Sequence, residues 1–328
     1  MSLQKSNYKY ATGQNRLLTL LAFACIYFVW GSTYLAIRYA VETIPPLFVA
    51  SFRHLIAGSL LFGWCWWRGL RPTRQQWLAS IVLGGLFFLI GHGTLHWAEQ
   101  TLPSGLAAFL MATEPVFVAI ILAATRRTRI NPTLLIGLLL GLFGVALIMG
   151  GDLQTGHSQM LSSLAVLIGT VSWAIGMVYS RSAALHSDDR MAAAMSLLAG
   201  AVMLFLAGTI TGETAKFDLA LVSLKSLLAL GYLAIAGSLV AYSAYFWLLN
   251  RFPPTLIATH TYVNPVVALI LGWALAGEVL TARFVFGGVV VIAAIALVGR
   301  ATSRGDQATK IRAQRPHAQQ KASARPIN

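Results

Sequence analysis

Glu114 and Asn264 each stand directly before a proline, in the middle of long apolar stretches of the sequence. The prolines are Pro115 and Pro265. A charged side chain inside a bilayer costs about 2.5–3.5 kcal/mol on insertion scales, so Glu114 needs a partner or a role there. A proline lacks a backbone donor and leaves carbonyl groups free at a kink. The pattern therefore predicts two kinks that face a shared central axis, where they form hinges or line a cavity.

Glu114 has two interpretations. In the first, its carboxyl binds a proton or another cation and couples that binding to a movement of the protein. In the second, it forms a structural ion pair with Arg53, the only basic residue deep in an apolar stretch. Charges in the membrane interior commonly pair. Both interpretations place Glu114 inside a bundle of helices.

His92, His96 and Glu99 follow one another at i, i+4 and i+7, which places them on one face of a helix. This spacing is shared by some metal ligands. A zinc site needs a fuller set of ligands than this stretch supplies. We therefore predict a hydrogen-bonded lining rather than a metal site, and no cofactor. Tyr242 and Tyr245 add two rings with polar tips to the same lining.

Aromatic residues recur at helical spacing near the centres of two stretches. Tyr27, Trp30 and Tyr34 share one helix face, and Trp173 and Met177 share another. Such rings either stack on a bound solute or anchor helices at the membrane interface. For the two tryptophans, both interpretations stay open.

The composition shows which elements must hold these residues. Of 328 residues, 57% are hydrophobic and 10% are charged, and the mean hydropathy is +0.70. Soluble domains carry about 25% charged residues, so a water-soluble enzyme is excluded. A helix needs about 20 apolar residues to cross the hydrocarbon, because lipid satisfies no backbone hydrogen bonds. The sequence predicts an all-α integral membrane protein with ten transmembrane helices. Their ranges are 17–38, 46–67, 77–98, 104–125, 132–149, 159–180, 191–211, 226–249, 254–275 and 282–299.

The formal net charge of +14 is concentrated at one side of the membrane in this arrangement. Most of the 24 Lys and Arg residues fall in alternate loops and in the C-terminal tail. Short loops rich in Lys and Arg face the cytoplasm. We therefore predict that both termini, residues 1–16 and 300–328, are cytoplasmic, and that nucleic acid is not a partner.

Residues 301–328 contain no Leu, Val, Phe, Trp or Tyr. A segment of this kind buries too little apolar surface to fold, so we predict a disordered tail. Its basic residues either signal membrane orientation or attract anionic lipid headgroups.

The chain matches itself at an offset of 150 residues. Over residues 97–147 this offset pairs tryptophan with tryptophan and proline with proline. The pairs are Trp97 with Trp247, Pro103 with Pro253, and Pro115 with Pro265.

Equivalent residues of the two copies are separated by five predicted helices. Because five is an odd number, the second copy enters the membrane from the opposite side. We predict two inverted five-helix repeats, 17–149 and 159–299, joined by a linker at 150–158. Inverted repeats are frequent in secondary transporters, where the two halves exchange conformations around a site at the midplane.

Several separated motifs resemble one family. They are WGSTYLAIR at 30–38, Pro45-Pro46, Arg53, LPSGLAA at 102–108, YVNPVVALILG at 262–272 and Gly277-Glu278. In this order they resemble the EamA-type exporters of the drug/metabolite transporter superfamily, over residues 17–299. The resemblance implies ten helices, a cavity between the halves, and export of metabolites such as amino acids or of toxic compounds. The Gly277-Glu278 pair departs from the repeat, because Arg127-Thr128 stands at the equivalent place.

Together these observations predict a secondary exporter of the bacterial inner membrane that works by alternating access. We expect its solutes to be amino-acid-like or aromatic compounds or drugs. We expect transport to be proton-linked or facilitative, and the protein to be a monomer or a homodimer. The alternative is an intramembrane enzyme acting on a lipid or a small molecule. The sequence shows neither an H-E-x-x-H motif nor a Walker A motif, which argues against an enzyme and against direct use of ATP. A receptor or scaffold would be expected to carry a soluble domain.

Overall fold

The computed structural model of the chain describes residues 14–102, 104–126, 131–149, 157–276, 282 and 285–301. Within these ranges all regular structure is helical. Most of the predicted N-terminal segment, linker and tail lies outside the described residues. The Gly277-Glu278 pair, Pro103 and Arg127-Thr128 also lie outside them.

Helices occupy each of the ten stretches that the hydropathy predicts. The helices are α1 (Arg16–Ala40), α2 (Pro46–Trp67), α3 (Arg74–Ala98), α4 (Ser104–Met111), α5 (Glu114–Arg126), α6 (Pro132–Met149), α7 (His157–Ser180), α8 (Asp189–Ile210), α9 (Leu224–Leu249), α10 (Pro254–Ile257), α11 (His260–Ala276) and α12 (Val285–Ala301).

Seven helical stretches in the described part of the chain are long and apolar enough to cross a membrane. They are α1, α2, α3, residues 107–125 of α4 and α5, residues 160–180 of α7, α8 and α9. Of the remaining helices, α6, α11 and α12 are apolar but present shorter runs, and α10 is a single short turn. The structure therefore confirms a helical membrane protein, whereas a count of ten crossings stays a prediction.

The predicted hinge at Pro115 stays a prediction, and a break in the helix lies within one turn before this proline. The break is at the turn of Ala112 and Thr113, and Pro115 is the second residue of the new helix α5. A proline fits this place because the first turn of a helix needs no N–H donor. Pro265, in contrast, lies inside α11. The two prolines therefore have different local roles.

Three helices contain π-helical segments, which the hydropathy pattern does not indicate. They are Cys25–Val29 in α1, Gly84–His92 in α3 and Leu233–Val240 in α9. A π segment inserts an extra residue into the helical turn, and such segments are frequent at functional sites. Those of α3 and α9 occupy nearly equivalent places of the two sequence repeats.

Helices α2 and α8 pack against each other in an antiparallel direction. Near the start of α2, Phe48 stacks on Phe205, with ring centroids 5.4 Å apart. Further along, Ser51 Oγ donates a hydrogen bond of 2.9 Å to the carbonyl of Ala201. At the end of α2, Cys65 packs in a cluster with Met191. Successive contacts from the start to the end of α2 therefore meet residues from the end to the start of α8, so the two helices are antiparallel.

Glu213 fixes the start of α2 from the connection after α8. Its carboxylate accepts the N–H groups of Leu47 and Phe48, at 3.1 and 3.0 Å. A negative charge at a helix N-terminus also interacts favourably with the helix dipole. Burial raises the pKa of the Glu213 carboxyl, while the two N–H donors act to lower it. The desolvation of the carboxylate therefore offsets part of the capping energy.

We expect Glu213→Ala to lower the free energy of unfolding by about 1 kcal/mol, because two N–H groups at the start of α2 lose their acceptor. Thermal unfolding of the detergent-solubilised protein measures this change. Glu42→Ala is the control, since Glu42 forms only an exposed ion pair with Lys225 at 2.8 Å, and such pairs contribute little. Equal melting temperatures for the two variants would contradict the capping role.

Candidate functional site

A small cavity lies at the centre of the helix bundle. Its volume is about 30 Å³. By this measure one water needs about 10–15 Å³, so the cavity has room for about two waters and not for an organic solute. Six residues predicted from the sequence line this cavity, namely Trp30, Tyr34, Arg53, His92, Trp173 and Asn264.

Trp30 is the centre of an aromatic cluster on one side of the cavity. Its ring centroid lies 6.1 Å from that of Trp173, 5.0 Å from that of Tyr245 and 4.8 Å from that of His260. The Trp30 indole donates a hydrogen bond of 3.0 Å to the carbonyl of Gly237. Trp30 and Trp173 are only 6% and 3% exposed. Both tryptophans therefore lie inside the bundle and do not act as interfacial anchors.

A chain of hydrogen-bonded side chains joins α2, α3 and α9 beside the cavity. Tyr242 Oη lies 2.8 Å from His92 Nε2, and His92 Nδ1 lies 3.0 Å from His54 Nε2. His54 Nδ1 is 3.4 Å from Ser238 Oγ, which accepts a hydrogen bond of 2.9 Å from Arg53 Nε. The predicted residues Tyr242, His92 and Arg53 thus belong to one network. His54 and Ser238 complete it and were not predicted.

The hydrogen bonds of this network can run in either direction, because the Ser238 hydroxyl can donate to His54 Nδ1 or accept from it. Arg53 Nε can only donate, so the Ser238 hydroxyl is free to donate its own proton to His54 Nδ1. In that case His54 donates from Nε2 to His92, and His92 donates from Nε2 to the oxygen of Tyr242. This assignment gives every bond one donor and one acceptor with both imidazoles neutral.

The two histidines that follow this spacing in α3 make hydrogen bonds. Both ring nitrogens of His92 already have hydrogen-bond partners. His96 Nδ1 lies 2.8 Å from the backbone carbonyl of His92 and is therefore engaged locally. The part of the chain that the structure describes contains no group of three His, Cys, Asp or Glu side chains placed to hold a metal ion.

The predicted ion pair between Arg53 and Glu114 is not formed. The three ion pairs among the described residues are Arg190–Asp188, Lys225–Glu42 and Arg251–Asp189. Arg53 turns toward Ser238 on α9, whereas Glu114 stands at the break between α4 and α5. The sequence shows how deep each residue lies in its helix but not the direction in which its side chain leaves that helix.

Of the buried polar groups whose atoms lack a hydrogen-bond partner in the described structure, three are residues that the sequence predicted for the cavity or for coupling. The unpaired atoms are both carboxyl oxygens of Glu114, Nη1 of Arg53 and Oδ1 of Asn264. All three side chains are almost completely buried. An unpaired buried polar atom is unfavourable, and each such atom in a native protein calls for an explanation. One explanation is that these atoms bind a solute or an ion during the working cycle.

Comparisons with known proteins agree with the helical membrane bundle. The model of the EamA-like transporter family matches the chain twice, over residues 17–150 and 160–300. The chain is 38% identical over 279 residues to the uncharacterized inner membrane transporter YedA of Escherichia coli K12, covering 84% of this chain and 88% of that protein. It is 28% identical over 279 residues to the uncharacterized transporter YoaV of Bacillus subtilis, with coverage of 84% and 94%.

A relative with a more specific name is the probable amino-acid metabolite efflux pump of Escherichia coli K12. It is 26% identical over 285 residues, which cover 80% of this chain and 89% of that one. One solved crystal structure superposes with a TM-score of 0.69 at 20% identity and covers 87% of this chain and 98% of that chain. At that identity the likeness concerns the fold alone. The family match and the closely similar transporters are decisive, and the chain belongs to the EamA-like transporter family.

Proposed function

We propose that the protein is a secondary exporter that moves small organic solutes across the bacterial inner membrane by alternating access. The solutes are amino-acid-like or aromatic compounds or drugs. One observation carries this proposal, namely a small central cavity lined by aromatic rings and by unpaired polar atoms. The names of the relatives support a transporter, and one of them is called an amino-acid metabolite efflux pump.

Contacts between equivalent residues support two inverted five-helix repeats. Ser51 bonds to Ala201, and His92 bonds to Tyr242. Both pairs are 150 residues apart, which is the offset of the sequence repeat. A residue touches its own equivalent only near an axis that exchanges the two halves.

The crossing of α2 and α8 supports the same relation with a reciprocal pair of contacts. A Cβ at Gly58 would lie 3.0 Å from Leu198, and a Cβ at Gly208 would lie 2.8 Å from Phe48. The offset of 150 residues relates the two contacts, because Gly58 corresponds to Gly208 and Leu198 corresponds to Phe48. Because α2 and α8 are antiparallel, an axis that exchanges them is perpendicular to both helices, which supports the inverted repeats that alternating access uses.

Clusters at the two ends of the bundle support a cytoplasmic location for both termini. At one end, the Arg190 guanidinium lies over the ring of Trp64, 4.6 Å from its centroid, so the basic loops that follow α2 and α7 share a side. Lys225 lies at the opposite end with Glu42. Loops rich in Lys and Arg favour the cytoplasm.

We expect single cysteines to report this orientation in whole cells. Lys216→Cys should react with a membrane-impermeant maleimide in intact cells, whereas Ser187→Cys should react only after lysis, since both positions are exposed but lie at opposite ends. The background lacks Cys25 and Cys65. Labelling of both positions from outside, or the reverse order, would contradict the orientation.

Flux into liposomes tests the function directly. The purified full chain is reconstituted, and uptake of radiolabelled amino acids, aromatic acids and cationic dyes is compared with that of protein-free liposomes, with and without a pH gradient. We expect saturable flux of at least one class. Absence of flux for every compound, together with enzymatic conversion of one of them, would replace the transporter by an intramembrane enzyme.

A further inference from the structure

We propose that Arg53 binds the carboxylate of the transported solute, so that the natural solute is an organic anion or a zwitterion and not a neutral or purely cationic compound. The inference rests on the proposed function, because it assigns a chemical class to the solute of the same cavity. It is carried by the placement of one guanidinium group.

Arg53 is held in a defined orientation at the cavity wall. The residue is 1% exposed and lines the cavity. Its Nε donates to Ser238, and its Nη2 packs against Gly237, where a Cβ would lie only 2.9 Å from that nitrogen. The glycine therefore makes room for the guanidinium beside the π-helical segment of α9. A group fixed in this way is prepared for a ligand and does not have to reorganise when the ligand arrives.

The free nitrogen of Arg53 points to an anionic ligand. Nη1 is buried and has no hydrogen-bond partner in the described structure. Arg53 and the buried Glu99 form no ion pair in the described structure, and both oxygens of Glu99 are also unpaired. A buried guanidinium without an anion is unfavourable, whereas a carboxylate that pairs with it forms a strong charge-assisted hydrogen bond.

The rest of the lining fits a small carboxylate better than a phosphate. Arg53 is the only Lys or Arg among the described residues that line the cavity. A phosphate dianion would be left with uncompensated charge, while one guanidinium balances one carboxylate. Asn264 Oδ1 is an unpaired acceptor on the same cavity and accepts an N–H or O–H of the solute. Trp30 and Trp173 cover its apolar part.

Three aromatic probes separate the contributions of the charges. Phenylalanine carries both charges, phenylalaninamide lacks the carboxylate, and phenylacetate lacks the ammonium group. Binding is measured as the rise in melting temperature of the detergent-solubilised full chain, since a ligand that binds only the folded state stabilises it. Transport is measured as counterflow in liposomes, corrected for leak through protein-free liposomes.

We expect phenylalanine and phenylacetate to bind to the unsubstituted protein about tenfold or more tightly than phenylalaninamide. In Arg53→Met this preference disappears, and in Arg53→Lys, which keeps the charge but loses the fixed guanidinium, part of it remains. Arg38→Met is the matched control, because it removes an exposed arginine from α1, and it should keep the full preference. Melting without ligand shows whether each variant is folded.

Each result has one consequence. If phenylalaninamide binds as tightly as the two acids, if no acid binds, or if folded Arg53→Met keeps the preference, Arg53 is not a carboxylate site. Flux of neutral or cationic solutes in that case leaves the exporter function intact. If the acids bind through Arg53 but no solute moves in any assay, the carboxylate site stands and the exporter function fails.

Discussion

Gly84→Ala is expected to lower the free energy of unfolding by about 2 kcal/mol, because this glycine stands where two backbones nearly touch. A Cβ at Gly84 would lie 2.7 Å from the backbone nitrogen of Gly200 and 3.0 Å from the carbonyl oxygen of Ser196. Backbone atoms cannot turn aside as a side chain does, so α3 and α8 would have to separate. Overpacking of this kind typically costs about 1–3 kcal/mol.

Gly85→Ala is the matched control, one residue further along the same helix. The nearest atom to a Cβ there is Met203 Sδ, at 3.7 Å, which is an ordinary contact. Alanine is also the better helix former by up to about 1 kcal/mol. Gly85→Ala should therefore melt at or above the temperature of the unsubstituted protein, and Gly84→Ala clearly below it. Thermal unfolding in detergent decides between them, and similar melting temperatures would mean that the close approach of α3 and α8 is not required.

Glu114→Gln is expected to abolish any effect of a pH gradient on solute accumulation. The Glu114 side chain is completely buried, and neither carboxyl oxygen has a hydrogen-bond partner in the described part of the chain. Gaining or losing a proton would change the charge of a group in a dry environment, which shifts the energy of any conformation that buries it. Glutamine has nearly the same shape but cannot titrate. We therefore propose Glu114 as the coupling residue.

The size of this effect follows from the driving force. One proton moving down a gradient of one pH unit supplies about 1.4 kcal/mol, enough for about tenfold accumulation of one solute. In liposomes we expect accumulation near this ratio for the unsubstituted protein and near unity for Glu114→Gln, while exchange of solute across the membrane continues. Glu99→Gln is the control, because it removes another buried and unpaired carboxyl at the end of α3. If Glu114→Gln still accumulates solute in response to the pH gradient, another residue couples transport to protons. If neither protein accumulates solute, transport is facilitative.

The sequence by itself determined the class of protein, its helical elements and its family. Long apolar stretches must be helical in lipid because each backbone group has to find its partner within the same segment, so local hydropathy is sufficient. The offset of 150 residues, carried by pairs such as Trp97 with Trp247, likewise needs no coordinates. The motifs around Trp30 and Asn264 resemble the EamA-type exporters, and the family match confirms that resemblance.

Only the tertiary structure decided which polar side chains meet. One of the two interpretations of Glu114 paired it with Arg53, but Arg53 bonds instead to Ser238. His54 follows Arg53 directly and could have been selected by the same rule for ionisable residues in the membrane, yet its contact with His92 could not. These partners depend on the rotation and depth of each helix. The π segments of α3 and α9 change both the rotation and the depth, because each inserts a residue into the turn. Hydropathy is averaged over a whole stretch and therefore does not predict that insertion.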